Sequence, residues 1–469
     1  MMLVENFIYY FSMFILGYAI LVTALYLILI LVSWKRLREF IEIIQTNITS
    51  VSHYTKPISI IVPAYNEEQT IVESVRSFLQ LDYPEFEVIV VNDGSTDETM
   101  AKLIQFFDLY PVELDSDIKI ETNLIKQAYK SHENPDLILL DKENGGKADA
   151  LNAGINVSVY PLFCAIDADC IIEKDALLRI VSPFLKYEET IAVGGMVRIA
   201  NGSTIKNGEI VQTKVPKKMI ERFQVIEYFR AFLTSRVGWQ RFNALMIISG
   251  AFGLFKKSAV LEVGGFKRTI GEDMELVLRL HEKFRQNDEP YRIDFASDAV
   301  CWTQAPDSYK DLKGQRIRWH RGLFDSLNRH QKMIGNPKYG SVGLASMPYF
   351  FLVELLGPVI EMIGYIVMGL AIYLNILSSY VGLIFLLTCL MGILFSYSAI
   401  LFEEISYKRY SNLKDILLLF LVSILEQFYY RPLTVWWRVK AFFNYRKGSK
   451  QWGTIERKKF DPKPKSNET

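Results

Sequence analysis

Two kinds of apolar run alternate with polar stretches along this chain. Short β-rich runs occupy 58–62 (ISIIV), 86–91 (FEVIVV), 137–140 (LILL), 163–166 (FCAI) and 191–197 (IAVGGMV). Runs of this length that lack apolar/polar alternation read as strands buried on both faces. A helical stretch over 68–81 separates the first two, and Ser95 with Glu98 forms a capping-box pattern opening another helix. Strands alternating with helices predict an α/β domain with a mostly parallel sheet and helices on both faces. The 100–134 segment is longer than a simple strand connection needs, and the pattern assigns it no role.

Long apolar runs flank this domain. Phe7 to Val32 carries no charge and is long enough to cross a bilayer. Glu5 precedes it and Lys35, Arg36 and Arg38 follow, so the positive-inside rule places residue 35 onward in the cytoplasm. Tyr349 to Leu374 is apolar except for Glu354 and Glu361, which share one helix face and are expected to face a polar cavity. Val381 to Phe402 is uncharged, whereas 416–425 is short for a crossing and reads as re-entrant or interfacial. The resulting division is a membrane helix 1–34, a linker 35–56, an α/β domain 57–305, an interfacial helical segment 306–342, a membrane region 343–430 and a basic cytoplasmic tail 431–469. That makes a multi-pass protein of the cell membrane whose α/β domain is cytoplasmic, with the lipid bilayer as one partner.

Composition narrows the picture in two places. The 469 residues carry a net charge of +1, and no basic tract interleaved with aromatics lies outside the membrane-proximal regions, so nucleic acid is excluded as a partner. The four cysteines, Cys164, Cys170, Cys301 and Cys389, have no metal-ligand spacing and read as reduced thiols.

Chemistry concentrates where the strand runs end. In open α/β sheets, ligands bind beyond the carboxyl ends of the strands. The first run ends in Pro63-Ala64-Tyr65-Asn66-Glu67, the second in Asn92-Asp93-Gly94, the third in Glu143-Asn144-Gly145-Gly146-Lys147 and the fourth in Asp167-Ala168-Asp169. Tyr65 can lay its ring on a flat base, and Asp93 can accept from a base N–H. Gly145 and Gly146 would let the backbone approach a phosphate, with Lys147 supplying charge. Two carboxylates at i and i+2 can share a hard cation bound to a diphosphate, so Asp167 and Asp169 are the candidate ligands for Mg²⁺ or Mn²⁺. Any one such turn is ordinary; four on successive strand ends point to a nucleotide site.

PAYNE, VVNDGSTD, ENGGKADALN and DAD, followed by ISGAFGLF (247–255), GED (271–273) and QRIRW (315–319), resemble the family 2 glycosyltransferases. QxxRW marks the likeness as one to their membrane-embedded, processive branch, which includes poly-β-1,6-N-acetylglucosamine, cellulose and hyaluronan synthases. The resemblance covers about Ile58 to Gly322. It implies a GT-A fold, a UDP-sugar donor, a growing polysaccharide as acceptor and an accessory membrane subunit as a partner. It also implies substrate-binding roles for Pro63, Tyr65, Glu67, Asp93, Lys147, Asp167, Ser249, Gly250, Gln315, Arg318 and Trp319. Asp273 matches the general base, and Glu272 is its catalytic neighbour. Arg318 would neutralise the departing diphosphate and Trp319 would stack on the acceptor sugar. Gly271 stands where several relatives have threonine, and Gln304 where they have an acid. The expected activity is inverting transfer, best read as N-acetylglucosamine transfer coupled to export. The alternative is single-sugar transfer to a lipid carrier.

Overall fold

In the computed structural model, residues 2–47, 55–113, 118–206, 208–375, 379–410 and 412–443 are described. The expected basic tail from residue 444, including Arg446, Lys447 and Lys450, lies outside them, as do 48–54 of the linker. The described residues of Asn47–Pro216 and Leu245–Pro306 form a sheet unit; those of Met1–Thr46, Lys217–Ala244 and Asp307–Lys450 form a helical unit. Residues 217–244, read from the sequence as part of the α/β domain, thus group with the helices.

The strands are β1 (Ile58–Ala64), β2 (Phe86–Asn92), β3 (Leu109–Val112), β4 (Ile125–Ser131), β5 (Leu137–Lys142), β6 (Leu162–Ile166), β7 (Cys170–Ile172), β8 (Thr190–Ile199), β9 (Thr204–Lys206), β10 (Glu209–Gln212), β11 (Phe252–Lys256) and β12 (Arg292–Thr303). Ten of them make one sheet in the order β3-β4-β5-β2-β1-β6-β11-β8-β12-β7, and β9 with β10 makes a separate ribbon. All five strand runs read from the sequence are present. β5, β2, β1 and β6 are parallel, whereas β4, β11 and β7 run against the other strands of the sheet. Ile58, Ile60, Ile61 and Val62, Val88 to Val91 and Leu137 to Leu140 are all buried, which is why these strands are apolar without alternation.

The unassigned 100–134 segment contributes a helix (Thr99–Phe106) and the β3–β4 hairpin, which extends the sheet at one edge. The expected capping box does not form. Ser95 Oγ instead accepts the Asn66 N–H at 3.0 Å, tying the turn after β1 to the turn after β2. All four cysteines are free thiols.

Four described helices are long and apolar enough to cross a membrane: Phe7–Lys35, Val342–Tyr373, Ser379–Tyr407 and Leu413–Phe443. The last is longer than the 416–425 run alone, because the helix continues through Glu426, Arg431 and Arg438 to Phe443. Hydropathy stops at those charges, but each has an internal partner. Arg431 makes a paired ion bridge to Glu361 (2.6 and 2.9 Å), Arg438 meets Glu354, and Glu426 meets Arg230. The two glutamates expected to face a cavity are therefore matched to two arginines with the same seven-residue spacing.

One buried titratable group supports the sheet unit. His281, fully buried on the Glu272–Gln286 helix, donates from Nε2 to the Leu245 carbonyl (2.8 Å), so its Nδ1 accepts from the Tyr291 hydroxyl (2.7 Å). Burial holds its pKa down, at about 4. The unfolded ring titrates near ~6.5, so the unfolded chain binds the extra proton first and stability falls as pH drops from ~6.5 toward ~4. Denaturation measured at pH 7.5 and pH 5 is expected to show wild type losing about 2 kcal/mol more than His281→Asn. Equal losses would contradict a neutral His281.

Candidate active site

The chemistry sits where the parallel strands end together. β1, β2, β5 and β6 run in the same direction, so the turns at Tyr65, Asp93, Gly145 and Asp167 share one edge. β11 runs the other way and starts at that edge, with Phe252 opposite Ile166, which delivers Ser249 and Gly250 beside the DAD turn.

Lys147 is the hub of this edge. It opens the Lys147–Val157 helix, and its ammonium lies 2.5 Å from Asp167 Oδ1, 3.3 Å from the Gly250 carbonyl and 3.8 Å from Glu272 Oε1. Burial works against its charge, but Asp167 and Glu272 outweigh that and hold its pKa well above the usual lysine range. Glu272, also buried, is pushed up to about 7, chiefly by desolvation, with Asp273 adding to the rise and Lys147 opposing it. Asp273 is half-buried and accepts the Met274 N–H at 2.8 Å, while Glu272 is covered, so the first turn of this helix separates two adjacent carboxylates by environment. A Cβ at Gly250 would meet Lys147 Nζ at 2.7 Å, so a larger residue there would displace the ammonium.

A second lysine, which the sequence reading passed over, braces the turns after β2 and β5. Lys142, at the end of β5, is completely buried, with its ammonium 2.8 Å from Asp93 Oδ1, 2.5 Å from Asp149 Oδ2 and 2.6 Å from the Glu143 carbonyl. Asp93 also accepts the N–H groups of Gly145 (2.9 Å) and Gly146 (2.7 Å). Burial alone would raise Asp149; hydrogen bonds from Lys142 and Arg268 outweigh it and hold its pKa below the usual range. The two glycines thus serve internal needs first. A Cβ on Gly145 would lie 2.3 Å from Asp149 Oδ2, and Gly146 has φ of 86°. The signal in the sequence was a lysine as the last residue of a strand that opens with four buried apolar residues.

The remaining expected residues fall into two groups. Tyr65 is 40% exposed just past the end of β1, Pro63 is the penultimate residue of that strand, and Glu67 accepts from the Thr70 hydroxyl at 3.0 Å. Gln315, Arg318 and Trp319 lie on the Tyr309–Arg329 helix of the helical unit, where Trp319 is 44% exposed.

Among the described residues no group of three or more His, Cys, Asp or Glu side chains could hold a metal alone. Asp167 and Asp169 supply two hard oxygen donors, which suits an ion whose other ligands come from a substrate's phosphates.

A family model described as "Glycosyltransferase like family 2" matches residues 56–322. The chain belongs to this glycosyltransferase family. A model described as "Chitin synthase" matches residues 267–463. Poly-beta-1,6-N-acetyl-D-glucosamine synthase of Staphylococcus aureus (strain COL) is 33% identical over 274 residues, 58% of this chain and 56% of the relative. The corresponding synthase of Staphylococcus epidermidis is 32% identical over the same shares. The match thus spans about half the length of these curated relatives. A mannosyltransferase from Pyrobaculum calidifontis, solved with GDP-Man and Mn²⁺, superposes with a TM-score of 0.52 at 18% identity, covering 88% of this chain and 99% of that one. This likeness shows the GT-A fold.

Removing Lys142 leaves the buried Asp93 carboxylate without its cation and Asp149, among the described residues, with Arg268 alone, and breaking a buried pair costs about 3–5 kcal/mol. Lys142→Met should therefore lower the unfolding midpoint of the purified protein sharply; a wild-type melt would contradict the role given to this lysine.

Proposed function

We propose that this chain is an inverting, metal-dependent transferase that moves N-acetylglucosamine from its UDP-sugar to the growing end of a polysaccharide and passes the product across the membrane. The observation that carries this reading is the acidic strand edge around Lys147. Asp167 and Glu272 lie at the Lys147 ammonium and Asp273 adds its charge to theirs, with Asp169 two residues beyond Asp167 in the same turn. A diphosphate enters such an edge only together with a cation, and Asp167 and Asp169 have the donors to share one. The choice of sugar is supported by the names of the relatives from both Staphylococcus species.

Each residue then has a task. Tyr65 offers its ring to the base, and Asp93 Oδ2, which accepts one backbone N–H, has capacity for a base N–H as well. Lys147 exchanges its Asp167 partner for a phosphate oxygen. Asp273 takes the proton of the acceptor hydroxyl as that oxygen bonds the anomeric carbon; the bond from that carbon to the diphosphate oxygen breaks, and UDP leaves with the electron pair. With Asp273 as the base and the acceptor oxygen as the attacking group, the reaction is a single displacement, which inverts the anomeric centre. The bound divalent ion, Mg²⁺ or Mn²⁺, supplies charge stabilisation to the leaving diphosphate. Arg318 adds positive charge for the same group, and Trp319 gives the acceptor's terminal ring an apolar platform. The sheet unit works in the cytoplasm, where nucleotide sugars are made, and an accessory membrane subunit is a further partner.

Purified protein reconstituted in lipid and offered UDP-N-acetylglucosamine, UDP-glucose or UDP-glucuronate should make a long polymer from the first alone. Asp273→Asn should lower kcat by about 10²–10⁴-fold, the range for losing a general base. Single-sugar glycolipid as the product would replace the polymer reading with transfer to a lipid carrier. Chelation with EDTA should abolish UDP release and excess Mn²⁺ restore it; turnover indifferent to EDTA would contradict metal dependence.

A further inference from the structure

Beneath Trp319 lies a polar cluster that the sequence motif does not explain. Arg316, one turn earlier on the Tyr309–Arg329 helix, is 3% exposed although it carries a full charge. Its Nη2 is 2.8 Å from Glu227 Oε2, and the Tyr430 hydroxyl donates to the same carboxylate oxygen at 2.9 Å. The Phe223 ring stacks on Tyr430 at 5.0 Å and steadies it. The other side of the guanidinium has a different partner. Among the described residues Arg316 Nε and Nη1 have no hydrogen-bond partner, and the guanidinium carbon stands 4.2 Å from the centre of the Trp319 ring. A desolvated guanidinium over an indole face is a cation–π contact, which depends on the planar shape of arginine as much as on its charge. Tyr228 approaches the same indole at 6.4 Å.

We propose that Arg316 is the positioning residue of the acceptor platform: clamped by Glu227 and Tyr430, it sets the orientation of the Trp319 indole on which the terminal sugar of the acceptor stacks. This rests on the reading of Trp319 given above. The clamp draws on three segments, the Met219–Phe229 helix, the Tyr309–Arg329 helix and the Glu426–Tyr430 segment of the last apolar helix. The tilt of the platform is thus tied to a membrane-region helix, which couples acceptor placement to the path the product takes. Glu227 is required because a buried arginine without its counter-ion would draw the helix toward water.

The test uses the full-length protein in lipid vesicles fed UDP-N-acetylglucosamine, reading product length and the donor KM separately. Arg316→Lys retains the charge and the reach to Glu227 but loses the flat contact with the indole. It is expected to leave the donor KM within about twofold of wild type while mean product length falls about tenfold, the scale of losing one desolvated cation–π contact. Tyr430→Phe, which deletes only a hydroxyl, is expected to shorten the product about threefold, the scale of one hydrogen bond. Trp319→Ala should shorten it at least as much as Arg316→Lys. Wild-type length in Arg316→Lys and Tyr430→Phe beside a shortened Trp319→Ala product overturns the positioning role alone. Wild-type length in Trp319→Ala overturns the platform reading and this proposal with it. A raised donor KM in Arg316→Lys with unchanged length also overturns it, because the arginine would then serve the donor.

Discussion

A buried ammonium between two carboxylates, Lys142 with Asp93 and Asp149, is the interaction on which the candidate active site depends. It joins the end of β2, the end of β5 and the helix that starts at Lys147. In a site of low dielectric these charges attract strongly, and any one left alone carries a large desolvation cost. The cluster therefore holds as a unit. By gripping Asp93, which accepts both glycine N–H groups, it fixes the Gly145–Gly146 turn and aims the following lysine along the strand edge. Lys147 then gathers Asp167, Gly250 and Glu272 from three further segments. One lysine builds the frame and the next does the proposed chemistry.

Much of this was legible in the chain because parallel strands force a simple rule. Strands buried on both faces must be apolar throughout, so a polar or glycine-rich residue at a strand end is conspicuous. Tyr65, Asp93, Lys147 and Asp167 stood out for that reason, and the sheet brings their turns to one edge. β11 was not legible as antiparallel, although its direction is what delivers Ser249 and Gly250 to that edge. Nor could sequence show that Gly145 is small because of Asp149, since the clash is between side chains of residues four apart in one turn. Lys142 was overlooked because a lysine beside a loop reads as solvated; only the fold reveals that it has no exposure at all.

The helical unit shows the same physics under a different solvent. Hydropathy reads Arg431 and Arg438 as the end of a span, yet the charges cancel against Glu361 and Glu354. With those charges paired, the helix from Leu413 to Phe443 remains long and apolar enough to cross a membrane. The QxxRW stretch had likewise been read by its motif residues, Gln315, Arg318 and Trp319. Arg316, between those motif residues, is buried against Glu227, which lies 89 positions earlier. Such a pairing is invisible to any local pattern.

The central claim is that the Lys147-centred edge receives a nucleotide diphosphate together with a divalent ion. The most direct measurement is a crystal structure grown with UDP and Mn²⁺, with anomalous scattering used to locate the manganese. The account predicts a manganese peak against Asp167 and Asp169, the diphosphate beside Lys147, and Lys147 released from Asp167. Manganese and UDP bound elsewhere, with the Lys147–Asp167 pair intact, would contradict it.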